Sequence, residues 1–307
     1  VAVPLRKMGA RIEMENDHAP LQIYPSDQII GIKQRLNVPS AQVKSAILLA
    51  ALYANSKTVL TTSFVTRNHT ELMLESFGCP IRHNEQDIIL EQGELKGINA
   101  LTIPGDFSSA SFIILATLIA KDSQIIIKNV GLNPTRIGFL KILQMMGGNI
   151  TTTIDPNNSY EIQGTIKVKS SELHGINVPR NLIPLSIDEL PLVFLAAAYA
   201  KGTTTIRNAT ELRLKESDRI TAMATLLSQL SIDVKEFNDG LTINGGVMSG
   251  GEIDSFGDHR IAMTALIASA CSKADILVHN TENIDTSFPN FVETMNQLGM
   301  DIIDPES

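Results

Sequence analysis

The segment Met146-Gly147-Gly148-Asn149-Ile150 decides the fold, because it closes an amphipathic helix at a glycine and continues as an extended run. Four other segments end alike: Met8-Gly9-Ala10-Arg11-Ile12, Phe77-Gly78-Cys79-Pro80-Ile81, Leu230-Ser231-Ile232-Asp233-Val234 and Leu298-Gly299-Met300-Asp301-Ile302. They recur at intervals of 69, 69, 84 and 68 residues. The chain is therefore built from an internal repeat.

The other half of the repeat is an apolar helix opened by a small or polar turn and followed by a β-rich strand. The openings are Pro39-Ser40-Ala41-Gln42, Gly105-Asp106-Phe107-Ser108, Ile187-Asp188-Glu189 and Gly257-Asp258-His259-Arg260. The strands that follow lie at 58–61, 124–127, 203–206 and 276–278. Each repeat reads helix, strand, helix, then one or two strands, which predicts layered α/β domains. We expect a boundary near residue 104, giving domains 1–103 and 104–307.

Composition excludes several classes of function. A net charge of −8 disfavours a general nucleic-acid surface but permits a local arginine cluster that binds a small anion. The apolar runs are too short or interrupted to span a membrane. Cys79 and Cys271 form no CxxC pattern, and the six histidines show no metal-ligand spacing. We expect buried free thiols in a reducing cytoplasm, and no metal or cofactor.

The most highly charged stretch is Leu212-Arg213-Leu214-Lys215-Glu216-Ser217-Asp218-Arg219. If it opens a helix, Lys215 and Arg219 stand at i and i+4, and one face presents two cations with Glu216 between them. A salt-bridged surface helix and an anion-binding site both fit this pattern.

The helix openings also permit two interpretations each. Asp188 and Glu189 could cap a helix, or one could be a partly desolvated general base. Arg260, beside helix amides, could bind phosphate or carboxylate, whereas Asp258 could be only a cap. Gly105-Asp106-Phe107-Ser108-Ser109 is interpreted as a cap, since no cation accompanies it.

Taken in order, these motifs resemble the 5-enolpyruvylshikimate-3-phosphate synthase family along nearly the whole chain. The matching motifs are Ser40-Ala41-Gln42-Val43-Lys44-Ser45, Thr66-Arg67-Asn68-His69-Thr70-Glu71, Pro104-Gly105-Asp106, Ile187-Asp188-Glu189, Leu214-Lys215-Glu216-Ser217-Asp218-Arg219, Asp258-His259-Arg260-Ile261-Ala262-Met263 and Thr286-Ser287-Phe288-Pro289. The Ser-Ala-Gln and Thr-Ser-Phe-Pro forms are similar to the glyphosate-tolerant bacterial subgroup. The resemblance implies the enolpyruvyl transferase fold, with two lobes of βαβαββ repeats that close on the substrates.

The resemblance also implies a reaction and its residues. The enolpyruvyl group of phosphoenolpyruvate would pass to the 5-hydroxyl of shikimate 3-phosphate in aromatic amino-acid synthesis. Asp188 would accept the hydroxyl proton, and Glu216 would protonate and deprotonate the methylene carbon. Phosphoenolpyruvate would be held by Lys215, Arg219 and Arg260, and shikimate 3-phosphate by Ser40, Ala41 (through its backbone), Gln42 and Arg67. The partners are small molecules, with no nucleic acid or membrane, and the parent enzyme is expected to be a cytoplasmic monomer.

The chain departs from the family pattern in two places. Thr286 lies where part of the family carries a phosphoenolpyruvate-binding lysine before Phe-Pro. The family's N-terminal Gly-Ser/Asp-Lys-Ser, Asn-Ala-Gly/Ala-Thr and Arg-Pro-Met motifs belong upstream of Val1. We therefore expect one complete C-terminal lobe, an incomplete N-terminal lobe, and no turnover by this chain alone in a phosphate-release assay. The alternatives are a UDP-N-acetylglucosamine enolpyruvyl transferase and a non-catalytic repeat-built lobe.

Overall fold

The computed structural model describes residues 1–84, 86–156 and 160–304. The chain divides into two compact units, described separately below. Unit 1 comprises Val1–Ile103 with the segment 160–162, and unit 2 comprises residues 104–156 and 163–304. Both units mix helices with strands, as the repeat predicts.

Unit 1 contains three helices and six strands among its described residues. The helices are α1 (Ala2–Lys7), α2 (Ala41–Ala51) and α3 (His69–Ser76), and the strands are β1 (Arg11–Glu15), β2 (His18–Tyr24), β3 (Lys33–Leu36), β4 (Thr58–Thr62), β5 (Ile81–Asn84) and β6 (Asp87–Leu90). Strands β1 and β2 form an antiparallel pair, and a four-stranded sheet has the order β3-β4-β6-β5. Strand β3 runs parallel to β4, so β3, α2 and β4 make a βαβ crossover. Ile47 and Leu48 of α2 pack on Leu60 and Leu90 of this sheet in the core.

Among its described residues, unit 2 contains three connections of the kind that β3, α2 and β4 make in unit 1, in which a helix joins two parallel extended segments. Its helices are α4 (Phe107–Ile119), α5 (Gly138–Met145), α6 (Leu190–Tyr199), α7 (Arg219–Gln229), α8 (His259–Ala268), α9 (Ile284–Ser287) and α10 (Phe291–Gln297). Its strands are β7 (Gln124–Gly131), β8 (Asn149–Ile154), β9 (Gln163–Lys169), β10 (Thr203–Ile206), β11 (Asp233–Phe237), β12 (Gly240–Asn244), β13 (Gly251–Asp254) and β14 (Ile276–His279). Short 3-10 turns span Arg180–Leu182, Ile187–Glu189 and Thr210–Leu214. The sheets have the orders β7-β9-β8, β10-β12-β11 and β13-β14.

Helices α4, α6 and α8 form the centre of unit 2. Along the chain, each helix connects two extended segments that pair in parallel. Gly105 before α4 pairs with Val130 of β7, Asn177 before α6 pairs with Thr205 of β10, and β13 before α8 pairs with β14. All three helices contact one another, and most of their residues are buried. Helices that are apolar on every side can be stable only inside a domain. This packing brings their first residues together.

The glycine-terminated repeat ends adopt the predicted backbone conformation. Gly9, Gly78, Gly147 and Gly299 all have φ between 76° and 100°, and Ser231, which replaces glycine in the fourth repeat, has φ of 67°. This left-handed conformation ends a helix and turns the chain, here into β1, β5, β8 and β11. The fifth segment differs, because no strand follows α10 in the described part of the chain.

No helix among the described residues combines the length and apolarity needed to cross a membrane. Cys79 and Cys271 are both free thiols. Cys79 is buried as expected, whereas Cys271 is half-buried, and burial raises its pKa to about 12.

Gly299→Ala should lower the free energy of unfolding of unit 2 by about 1 kcal/mol, because a Cβ in the left-handed region is strained even without a clash. The position is open, with no atom within 4 Å of an added Cβ. Gly246→Ala is the control, since Gly246 lies outside the left-handed region and its Cβ would make only an ordinary contact at 3.5 Å. Urea unfolding followed by circular dichroism measures both variants. Equal stability of the two variants would contradict the cap assignment.

Candidate active site

Two carboxylates, Asp188 and Glu189, directly precede α6 and lie among three cations near the starts of α4 and α8. Glu189 is fully buried: its Oε1 accepts hydrogen bonds from Ser108 Oγ at 2.7 Å and from Arg136 Nη2 at 3.2 Å. Arg260 Nη1 lies 3.9 Å from the same oxygen. Among the residues that the structure describes, Glu189 Oε2 has no hydrogen-bond partner. The Glu189 carboxylate is therefore stabilised mainly through one oxygen.

Asp188 lies between two cations without a short contact to either. Arg136 Nη1 is 3.5 Å from Oδ2, and Lys215 Nζ is 3.7 Å from Oδ1. The Asp188 side chain is 14% exposed. Arg260 Nη1 donates to the backbone carbonyl oxygen of Asp188 at 2.9 Å, which fixes the main chain. This carboxylate is thus the more accessible of the two.

The charged stretch 212–219 is largely not helical, which corrects the predicted i, i+4 arrangement of Lys215 and Arg219. Thr210–Leu214 forms a 3-10 turn, and α7 begins only at Arg219. Asp218 starts the helix there, because its side chain accepts hydrogen bonds from the amides of Ile220 and Thr221. Lys215 therefore precedes α7, where its Nζ lies 2.8 Å from Glu211 Oε1.

A buried ion pair joins the starts of α7 and α8. Arg219 is 1% exposed, and its Nε and Nη2 donate to Asp258 at 2.8 and 3.2 Å. Nη2 also donates to Glu216 Oε2 at 2.6 Å. Asp258 caps α8 by accepting from the Arg260 amide at 2.9 Å, and it accepts from Ser217 Oγ at 3.0 Å. Asp258 is therefore a helix cap and also the counter-ion of Arg219.

The same contacts set the protonation of Asp258. Burial acts to raise the pKa of the Asp258 carboxyl, but the hydrogen bonds and charge of Arg219, with the donors of Arg260 and Ser217, outweigh burial and hold the pKa below its usual value. The pKa of His259 is lowered, first by burial and then by the charge of Arg260, so this ring is neutral at pH 7. Burial lowers the pKa of Arg260 as well, and Arg219 and Arg136 add to that effect. A bound anion would relieve this crowding of cations.

The remaining predicted residues lie together in unit 1. Ser40 caps α2 by accepting from the Val43 amide at 3.3 Å, and Ala41 and Gln42 form the first turn. Lys44 Nζ donates to the Arg67 carbonyl oxygen at 2.7 Å, so the segment that leads into α3 is tied to α2.

Thr286, where part of the family carries a lysine, belongs to unit 2. It lies on the short helix α9, and its Oγ1 donates to the Asn283 carbonyl at 2.6 Å.

Lys44 and Glu71 form a buried ion pair that the sequence interpretation did not use. Their charged atoms are 2.6 Å apart, and both side chains are 2% exposed. The sequence does contain a signal for this pair: Lys44 lies within the apolar helix α2, and a buried lysine needs an acidic partner because an unpaired charge is rarely buried.

Arg136 and Ser108 are the residues of unit 2 that sequence interpretation missed. Asp106 caps α4 as predicted, with its Oδ2 accepting from the Ser109 amide at 2.8 Å. The expectation that no cation accompanies this opening is wrong: Arg136 Nη2 donates to Ser108 Oγ at 2.6 Å, and Arg260 Nη2 lies 3.5 Å from it. Arg136 and Arg260 are both distant from Ser108 in the sequence, so local sequence patterns cannot predict that they lie beside the start of α4. No group of three His, Cys, Asp or Glu side chains arranged to hold a metal occurs among the described residues.

The fold is that of the enolpyruvyl transferases. The enolpyruvyl transferase NikO from Streptomyces tendae superposes with a TM-score of 0.76 over 97% of this chain and 70% of its own, and at 16% identity this likeness concerns the fold alone. EPSP synthase from Acinetobacter baumannii superposes with a TM-score of 0.88 at 41% identity, over 97% of this chain and 69% of that one.

Sequence relatives identify the family. Residues 1–295 match the model of EPSP synthase (3-phosphoshikimate 1-carboxyvinyltransferase). Proteins named 3-phosphoshikimate 1-carboxyvinyltransferase are 43% identical over 299 residues in Coxiella burnetii (strain RSA 493 / Nine Mile phase I) and 44% identical over 303 residues in Legionella pneumophila (strain Philadelphia 1). These alignments cover 97% and 98% of this chain, and 68% and 70% of the relatives. The chain belongs to the EPSP synthase family.

The predicted family and fold are therefore confirmed. The glyphosate-tolerant subgroup stays a prediction.

Asp258→Asn should destabilise unit 2 at pH 7, and the difference from wild type should shrink below about pH 4. A lowered folded-state pKa gives stability that is complete above the unfolded carboxyl value of about 3.9 and is lost as pH falls through the folded value. Urea midpoints at pH 7, 4 and 3 measure this. Asp239→Asn, in an exposed ion pair with Arg207, is the control with a smaller effect. A constant difference between pH 7 and pH 3 would contradict the assignment.

Proposed function

We propose that this chain carries the chemistry of its family: transfer of the enolpyruvyl group of phosphoenolpyruvate to the 5-hydroxyl of shikimate 3-phosphate, with release of phosphate. The Asp188 carboxylate supports this best, because its side chain is 14% exposed and lies 3.5 Å from Arg136 Nη1 and 3.7 Å from Lys215 Nζ. A positioned carboxylate can accept a hydroxyl proton, and fixed cations can hold two anionic substrates.

Two carboxylates share the proton transfers. Asp188 takes the proton of the 5-hydroxyl while the hydroxyl oxygen forms a bond to C2 of phosphoenolpyruvate. At the same time the protonated Glu216 carboxyl gives its proton to the methylene carbon. The tetrahedral adduct then returns a proton from the methyl carbon to Glu216 as the bond between C2 and the phosphate oxygen breaks, which restores the double bond. Glu216 suits this exchange because its side chain is 56% exposed, whereas Glu189 is fully buried.

Lys215, Arg219 and Arg260 are proposed to hold phosphoenolpyruvate. Lys215 and Arg260 are 24% and 15% exposed, so both can meet a ligand. Arg219 is 1% exposed and bonded to Glu216, so phosphoenolpyruvate can reach it only when Glu216 turns outward. Substrate and Glu216 then compete for one guanidinium, and binding would free Glu216 for proton transfer.

Ser40, the Ala41 backbone, Gln42 and Arg67 are proposed to bind shikimate 3-phosphate. The opening of α2 supplies a hydroxyl and backbone amides, which suit phosphate and hydroxyl oxygens. The buried pair of Lys44 with Glu71 would hold Arg67 at that opening, through the hydrogen bond from Lys44 to the Arg67 carbonyl.

The proposed reaction moves protons and exchanges carbon–oxygen bonds, which these carboxylates and cations can serve without a cofactor. A cytoplasmic, monomeric parent enzyme is part of the proposal.

Asp188→Asn and Glu216→Gln should each lower kcat by about one hundred- to ten thousand-fold, the range for loss of a general acid or base. The KM for phosphoenolpyruvate should not rise in Glu216→Gln, because the Glu216 carboxylate, which competes with phosphoenolpyruvate for Arg219, has lost its charge. Phosphate release by the product of the complete reading frame measures both effects, and the 307-residue chain run beside it tests the expectation of no turnover.

The matched controls are Asp239→Asn, in an exposed ion pair with Arg207, and Glu252→Gln, an exposed carboxylate 3.7 Å from His279 Nε2; both should keep kcat within about twofold. UDP-N-acetylglucosamine offered as acceptor tests the related transferase activity. The proposal fails if Asp188→Asn retains wild-type kcat, or if phosphate release requires the UDP-sugar.

A further inference from the structure

The Arg213 side chain joins the 3-10 turn Thr210–Leu214 to the hairpin of β11 and β12. Its Nε donates to the Asn238 carbonyl oxygen at 2.7 Å, and its Nη2 donates to the Phe237 carbonyl oxygen at 2.8 Å. Nη2 also donates to Glu236 Oε1 at 2.9 Å. The end of the turn is thereby held against two strands that are themselves paired.

The same guanidinium reaches the start of α7. Its Nη1 donates to Asp218 Oδ2 at 2.6 Å and to Thr221 Oγ1 at 3.1 Å. Burial acts to raise the pKa of the Asp218 carboxyl, but the Thr221 amide and Arg213 outweigh burial and hold the pKa below its usual value. Arg213 thus donates five hydrogen bonds, the full capacity of a guanidinium.

Residues 215–217 lie between these two anchoring points. Their amides donate to no backbone carbonyl in the part of the chain that the structure describes, so side-chain contacts must hold this segment in place. Arg213 precedes the segment and Asp218 follows it, and their ion pair joins its two ends. The segment carries Lys215 and Glu216.

The other side-chain contacts of the segment do not replace this link. Lys215 Nζ bonds to Glu211, which belongs to the same 3-10 turn, so this contact joins the segment only to the turn. Ser217 Oγ donates to Asp258 at 3.0 Å, which holds the end next to α7. Arg213 connects the other end of the segment to the hairpin.

We propose that Arg213 is a positioning residue for the reaction above: it holds both ends of the 215–217 segment and so keeps Lys215 and Glu216 at the site. This inference rests on the functions proposed for Lys215 and Glu216. The role needs the planar fork of an arginine, because the five acceptors lie in different directions, whereas a lysine offers one point charge with three donors.

The first experiment measures backbone ¹⁵N relaxation of the amides of residues 215–217 in the product of the complete reading frame. Arg213→Met should lower their order parameters from the rigid value of about 0.85 to below about 0.6. Arg213→Lys should lower them as well. Asp218→Asn should do so to a smaller extent, because asparagine still caps a helix but cannot form the ion pair.

Arg207→Met is the matched control. Arg207 donates to Asp239 of the same hairpin and stacks on the Phe237 ring at 4.2 Å, but it makes no printed contact with Asp218 or with the segment. Its loss should leave the order parameters of residues 215–217 unchanged. Unchanged order parameters in the folded Arg213 variants would overturn the proposal. If Arg213→Met does not fold, Arg213→Lys and Asp218→Asn carry the test.

Kinetics give the second readout, because displacement of the segment should affect one substrate more than the other. In phosphate release, Arg213→Met should lower kcat about ten- to one hundred-fold and raise the KM for phosphoenolpyruvate. The KM for shikimate 3-phosphate should change less than about threefold, since its proposed residues belong to unit 1. Full recovery by Arg213→Lys, or a fall in stability with unchanged kinetics, would contradict the positioning role.

A double-variant cycle distinguishes this inference from the function on which it rests. If Arg213 acts by holding Glu216, the loss of kcat in Arg213→Met should largely disappear when Glu216→Gln is already present. Additive losses would overturn the proposal. Wild-type kcat in Glu216→Gln alone would instead reject the function proposed for Glu216, while the order parameters would still decide whether Arg213 holds the segment.

Discussion

The ion pair between Arg219 and Asp258 is the contact on which the site of unit 2 depends. It is buried, and removing Asp258 would leave Arg219 with only the exposed Glu216 as a counter-ion, at a cost of about 3–5 kcal/mol. Both partners stand where a helix begins, Asp258 as the cap of α8 and Arg219 as the first residue of α7. The pair therefore fixes two helix openings against each other, and it places Glu216 through the same guanidinium.

Four carboxylates of one cluster lie in different environments, which fits the different roles proposed for them. Asp258 and Glu189 are buried and hydrogen-bonded to arginines, so they hold cations in place. Asp188, the proposed base, is 14% exposed, and Glu216, proposed to exchange protons with the substrate, is 56% exposed. Residue type alone does not distinguish these roles. Burial and the length of each contact do, because both set the balance between charged and neutral forms.

The periodic features of the fold could be predicted from sequence, and the long-range contacts could not. The repeat predicted the helix ends at Gly147 and Ser231, because a left-handed cap leaves a local signal. The predicted helix through Lys215 was wrong. Asp218 caps α7, so the helix begins at Arg219, four residues after Lys215. The pairing of Arg136 with Glu189 spans 53 residues, so no local sequence pattern indicates it. The family resemblance named site residues such as Asp188 but not the residues that contact them, such as Arg136.

Asp258 holds the guanidinium of Arg219, so if Arg219 binds phosphoenolpyruvate as proposed, loss of Asp258 should weaken that binding through Arg219. Calorimetric affinities for phosphoenolpyruvate alone, without the second substrate so that no reaction proceeds, in wild type, Asp258→Asn, Arg219→Gln and the double variant measure this coupling directly. The account predicts that Asp258→Asn weakens binding about tenfold when Arg219 is present and has little further effect when it is absent. Independent, additive losses in the two single variants would contradict it.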